Sequence, residues 1–248
     1  MVRLIGIISG KGGVGKTTVA ANLAIALKKF GKRVAVVDCN FTTAHLGLYM
    51  GMYTYPKTLN SFLRNEASLK DAIYPHPSGI NVVPASLQLK DLVDVDTNGL
   101  KNAFMQVFCD HDIVLLDSAP GIGKEALISL GACDEILFIA NPFIPSVVDV
   151  AKYSQLDSLP RVIGIILNRV RNRKYELNIE EVMQFTEFPV IGKIPEDENV
   201  LKSINKRELV MVSKQNSAAS QAIMEIAAKL IGINYKPKRF RMWPFLRS

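Results

Sequence analysis

The sequence predicts an α/β fold, a doubly wound and mainly parallel sheet flanked by helices, on three observations. Short, nearly uninterrupted apolar runs recur along the chain, as in strands buried on both faces. Longer stretches with helical apolar spacing separate them. The first apolar run passes directly into a glycine-rich loop and then a helical stretch, the strand–loop–helix unit that opens many such sheets. With 248 residues, 48% apolar and 21% charged, the chain has ample material for a core, and disordered and fibrous classes are excluded.

In order, residues 4–9 read as the first strand from their Ile-rich continuity, and a helix follows over about 16–30. The Val-Ala-Val-Val-Asp run at 34–38 is the second strand, and 80–83 the third. A helix over 98–108 leads to a strand at 113–117, a helix over 124–131 to a strand at 135–140, and a helix over 147–156 to a strand at 162–168. The helix at 178–186 precedes the last strand, 190–193. The closing helix, 217–231, places Ala222, Ile223, Ile226, Ala227 and Leu230 on one face, and Gly232 supplies its stop. No repeat or low-complexity block interrupts the pattern, so residues 1–233 are expected to form one folded unit and 234–248 a tail.

The longest apolar stretches, such as 162–167, are far shorter than the ~20 residues of a membrane-spanning helix. The N-terminus has strand length and no cleavage pattern, so no signal peptide is expected. Cys39, Cys109 and Cys133 are odd in number, widely spaced and without a Cys-x-x-Cys, which argues against a disulfide framework or a single-chain zinc or iron–sulfur site and suits a reducing cytoplasm. The net charge of +7 is largely a tail property. Lys236, Lys238, Arg239, Arg241 and Arg247 lie in the last thirteen residues, leaving 25 basic against 23 acidic residues before them.

The motif Gly10-Lys11-Gly12-Gly13-Val14-Gly15-Lys16-Thr17-Thr18 fits G-x-x-x-x-G-K-[ST] between strand and helix. Its glycines let backbone N–H groups turn inward around phosphate, Lys16 reaches the outer phosphates, and the Thr17 hydroxyl is a ligand for Mg²⁺. The additional Lys11 makes the loop resemble the deviant Walker A motif of the MinD/ParA ATPases, most of all their archaeal MinD-like branch. The resemblance runs over roughly residues 1–232. Asp38-Cys39-Asn40-Phe41-Thr42-Thr43-Ala44-His45-Leu46 is similar to the first switch, and Asp117-Ser118-Ala119-Pro120-Gly121-Ile122-Gly123 to the second. Asn168 and Arg169, with Pro195, Glu196 and Asp197, resemble the segments that enclose adenine.

That resemblance implies an ATPase using ATP and Mg²⁺, with a homodimer forming around ATP and Lys11 crossing to the partner's phosphates. It implies Asp117 as the Walker B acid, with Asp38 and Thr17 completing the metal surround. Two positions depart from the family pattern. Asn40 stands where an Asp usually positions the attacking water, and His45 stands where asparagine is common. An amide accepts a hydrogen bond from water but is a poor proton acceptor, so hydrolysis is expected to be slow. His45 is expected to face solvent.

The tail interleaves its cations with Phe240, Met242, Trp243, Phe245 and Leu246, a composition that favours an anionic membrane interface. Pro237 and Pro244 rule out one long helix there. The expected setting is a cytoplasmic protein held peripherally at the inner membrane face, which recruits or positions an unidentified protein partner. Two alternatives stay open. A ParA-like DNA-binding protein would need cations on the folded body. Of these, 217–232 carries only Lys229, while Arg169, Arg171, Arg173 and Lys174 form a modest cluster. An ATP-bound scaffold with negligible turnover is the other.

Overall fold

A computed structural model describes residues 1–86 and 99–236. Its strands are β1 (Arg3–Ile8), β2 (Val34–Cys39), β3 (Tyr74–Pro75), β4 (Asn81–Val83), β5 (Ile113–Ser118), β6 (Glu135–Ala140), β7 (Arg161–Val170) and β8 (Val190–Pro195). They form one sheet in the order β3-β4-β2-β5-β1-β6-β7-β8, parallel throughout except for the β3–β4 pair. The helices are α1 (Lys16–Lys29), α2 (Leu46–Tyr49), α3 (Leu59–Leu63), α4 (Leu100–Val107), α5 (Lys124–Ala132), α6 (Ile144–Ala151), α7 (Ile179–Thr186), α8 (Glu198–Asn205), α9 (Val210–Ser213) and α10 (Ala218–Leu230). The fold class is the one predicted.

Alternation along β1 builds two cores. Leu4 and Ile8 join Phe104, Phe138 and Tyr153 on one face, while Ile5 and Ile7 join α1 and α10 on the other. Gly6 permits the first packing, because a Cβ there would lie 2.9 Å from Cys133 Sγ. α1 is buried from Val19 to Leu27, and each large side chain so removed from water contributes roughly 1.5–3 kcal/mol.

Several boundaries differ from expectation. The helix placed at 147–156 starts earlier, at Ile144, with Pro145 in its first turn, and ends as a 3-10 turn over Lys152–Gln155. The last strand continues to Pro195. Position 98 of the expected 98–108 helix and the tail from Pro237 onward lie outside the described residues. α2, α3, α8, α9, β3 and a 3-10 turn at Leu69–Ala72 went unread. Most are five residues or fewer, too short for a period to show, and the ends of some are set by local capping. The Thr58 and Ser68 hydroxyls each close a capping box. Among the described residues, no helix is long and apolar enough to cross a membrane.

Candidate functional site

The parallel strands all deliver their following loops to one edge, the carboxyl edge of the sheet. The glycine loop leaves β1 there and enters α1 through Gly15, whose φ of 91° is left-handed. No side chain caps this helix and no acid stands in its first turn, so its N–H groups remain available to an anion. Gly10 is required by packing. A Cβ on it would lie 2.4 Å from Asp149 Cβ on α6. Lys11 is half-buried, and Gly12 and Gly13 are exposed.

β2 and β5 are neighbours in a register that pairs Asp38 with Asp117. Lys16, itself buried, places Nζ 2.5 Å from Asp117 Oδ1. The other oxygen, Asp117 Oδ2, is buried without a hydrogen-bond partner. Asp38 is buried too, accepting at Oδ1 from the Asn40 N–H and at Oδ2 from the Leu46 N–H, each at 3.1 Å. Burial, and after it the charge of Asp117, push the Asp38 carboxyl up to about 7, against the pull of those two N–H groups and of Lys16. A buried carboxylate oxygen lacking a partner, beside a second buried carboxylate, is a donor set suited to a hard divalent cation. Thr17, in the first turn of α1, adds a hydroxyl to the same edge.

Next to the loop, a cavity of about 550 Å³ is lined by Gly15 and Thr18 and by Asn168, Arg169, Pro195, Glu196 and Asp197. The five residues assigned to the nucleoside from two distant segments therefore line one cavity. Their polar groups are partly engaged within the protein. Asn168 Nδ2 donates to Val14 O at 2.8 Å, buttressing the glycine loop. Glu196 is held by Arg171, which also removes Arg171 from the basic cluster of 169–174. Asp197 caps α8 through Asn199 N at 2.9 Å and accepts from Ala219 N, the start of α10, at 3.1 Å. Burial opposes ionisation of Asp197, yet these N–H donors hold its carboxyl below the usual range. Arg169 takes a left-handed φ of 57° where the β7–β8 register shifts, and is exposed at the cavity.

One contributor escaped sequence reading. Asn141, buried at the end of β6, donates from Nδ2 to Asn168 O at 2.9 Å and so holds the wall in place. Its signal was there, an amide directly after a strand on the edge where ligands bind.

In the first switch, Asn40 is buried and both ends of its amide are used. Nδ2 donates to Thr43 O at 2.8 Å, and Oδ1 accepts from Thr43 Oγ1 at 3.0 Å. A carboxylate has no hydrogen for the first of these bonds. Thr42 Oγ1 donates to Glu125 Oε2 at 3.3 Å, tying this loop to α5 behind the second switch. His45 is exposed and stacks on Tyr49.

Residues 5–210 match the family model of the CobQ/CobB/MinD/ParA nucleotide binding domain. The chain is 42% identical over 238 residues to an ATP-binding protein of Methanocaldococcus jannaschii, covering 95% of this chain and 90% of the relative. It is 34% identical over 261 residues to the septum site-determining protein MinD of Buchnera aphidicola, covering 97% and 94%. The solved structure of MinD from Pyrococcus horikoshii complexed with Mg-ADP superposes with a TM-score of 0.88 at 29% identity, covering 93% of this chain and 96% of that one. By sequence and fold together, the chain belongs to the MinD/ParA family of P-loop nucleotide-binding proteins.

Proposed function

We propose that the protein is an ATP-operated dimerising switch with slow hydrolysis, working at an anionic membrane surface to recruit or position another protein. The observation that carries the reading is the buried Lys16–Asp117–Asp38 cluster at the mouth of the glycine loop, with Asp117 Oδ2 unpartnered. Residues 10–18 would cradle the phosphates through backbone N–H groups and Lys16, which exchanges Asp117 for phosphate oxygen. Thr17, Asp38 and Asp117 would hold Mg²⁺. When bound, the metal neutralises charge on the phosphate oxygens. The cavity wall of Asn168, Arg169 and Pro195 would receive the nucleoside, with Glu196 and Asp197 shaping the wall. Lys11 would cross to the phosphates of a second copy.

Slow turnover follows from Asn40. Hydrolysis needs a water aligned on the γ-phosphorus, opposite the oxygen that leaves with ADP. The Asn40 amide is committed to Thr43 instead. The sequence beyond Lys236, with five aromatic or large apolar residues among its cations, would act as an appended anchor outside the folded unit of residues 1–233. One such anchor binds weakly. Two joined by dimerisation gain roughly 10²–10⁴-fold through effective concentration, which couples ATP state to membrane residence.

Size-exclusion chromatography with light scattering tests the switch. The ATP form is expected to be a dimer, the apo and ADP forms monomers, and Lys11→Ala a monomer throughout that still binds nucleotide. A wild-type chain that stays monomeric with ATP contradicts the reading.

A further inference from the structure

The other edge of the sheet, where the parallel strands begin, carries a distinct charge pattern. α1 runs back from the glycine loop and ends on this edge with Lys28 and Lys29, followed by Lys32. Lys28 lies against Gly79, in the turn that leads into β4, with Cε 3.0 Å from the position of a Cβ there. α10 ends on the same edge, as Arg3 at the start of β1 donates to Leu230 O at 3.0 Å. Lys229 reaches Ile191 O at 2.9 Å, and Lys29 reaches Met211 O at 3.1 Å. A carbonyl partner leaves an ammonium charge uncompensated. Among the described residues, no carboxylate comes within ion-pair distance of Lys28, Lys29, Lys32 or Lys229, and Lys32 feels a nearby acid, Asp112, which Arg33 already holds. Several acids of this edge are engaged by other groups, and Asp157 and Glu187, in the segments that lead into β7 and β8, pair with none of these four lysines. Glu135 pairs with Arg3 and Arg161, Asp134 with Lys101 and Asp112 with Arg33, while Asp110 is hydrogen-bonded to the His111 ring.

The described chain ends at this place. Tyr235 packs edge-on against Phe30 at the end of α1, with ring centroids 5.4 Å apart. Ile233 beside it is 41% exposed, and Lys236 follows, exposed. The basic and aromatic segment thus departs from the body at its uncompensated lysines and not at the nucleotide loop.

We infer that this amino edge of the folded body is itself part of the membrane-binding surface, its lysines meeting anionic lipid headgroups alongside the tail. The inference rests on the membrane reading above and extends it from the tail to the body. Lipid suits the site better than nucleic acid because Ile233, and then Phe240, Trp243 and Phe245 in the sequence, alternate with the cations. Apolar side chains gain from an acyl boundary and not from a phosphate backbone. Each lysine near an anionic surface is worth about fivefold in partitioning.

Flotation with phosphatidylcholine vesicles containing one third phosphatidylglycerol decides the matter, using the full chain. Lys28→Gln/Lys32→Gln is expected to weaken binding about 20-fold while circular dichroism and nucleotide affinity stay unchanged. Arg173→Gln/Lys174→Gln, removing two exposed cations from the carboxyl edge, is expected to have no more than a twofold effect. If wild type floats and the first variant floats equally, or if both variants lose equally, the body surface is not involved and the tail reading survives alone. A wild-type chain that does not float overturns both together. Retention of duplex DNA that exceeds vesicle binding and is lost in the first variant assigns the patch to nucleic acid and overturns the inference.

Discussion

The two edges of one sheet treat charge in opposite ways. On the amino edge, the partly exposed Asp134 and Asp112 and the buried Glu135 each have a cation within 2.7–3.6 Å. Such pairs contribute about 0–1 kcal/mol apiece and leave nothing buried and unmet. On the carboxyl edge, Asp38, Asp117 and Lys16 are all buried, the single ammonium group bonds Asp117 while Asp38 relies on two backbone N–H groups, and Asp117 Oδ2 has no partner. Folding alone does not favour that arrangement, since buried ions lose hydration that their mutual attraction repays only with full hydrogen bonding. The contrast locates the ligand site from physics. The amino edge pairs its acids at or near the surface and leaves only exposed or half-exposed lysines over, whereas the carboxyl edge holds a buried carboxylate oxygen in want of a partner.

Breaking the buried cluster is expected to have the largest effect. Lys16→Ala removes the one cation from two buried carboxylates, and equilibrium urea unfolding of the apo protein should show a loss of about 3–5 kcal/mol. Isothermal titration should find no ATP binding. Unaltered unfolding would show that the ion pair does not hold this edge together.

Sharpening the comparison within the first switch needs Asn40→Asp. The variant loses the donor to Thr43 O, about 1 kcal/mol or fivefold, but restores a carboxylate whose water-positioning role is worth on the order of 10²–10⁴-fold. The gain exceeds the loss, so single-turnover cleavage is expected to accelerate at least 20-fold. An unchanged rate would mean that another group orients the water.

A smaller effect is expected at the nucleoside wall. Asp197→Ala uncaps α8 and releases the N–H of Ala219, which should cost about 1–2 kcal/mol at pH 7. Because the folded carboxyl titrates below its ordinary 3.8, its contribution is present above that value and is lost as pH falls through the lower folded one. Melting curves of wild type and variant should therefore converge in acid. A gap independent of pH would assign the loss to packing instead of charge.

How legible each part was depends on the range of the interaction. The strand cores and α1 were readable because burial on both faces writes a continuous apolar run. The glycine loop was readable because its backbone geometry demands particular residues at fixed spacing. α8 was missed although Asp197 and Glu198 announce a helix start and Val200, Leu201 and Ile204 form a short apolar face, since eight residues give too few turns for the period to stand out and that face lines the cavity instead of the core. Asn40 looked like a simple loss of a carboxylate, and its bonds to Thr43 were invisible because the loop's path is set by what packs around it.

The sequence by itself determined the glycine loop between strand and helix and placed Asp38 and Asp117 near strand ends, each one residue short of the end at Cys39 and Ser118, because local pattern and spacing encode those features. The tertiary structure alone decided that β5 lies between β1 and β2, and so that Asp38 stands beside Asp117 with Lys16 bonded to the latter and Tyr235 packed on the far edge. Strand order is a long-range choice among pairings of similar apolar runs, settled by the packing of the whole sheet and not by any one segment.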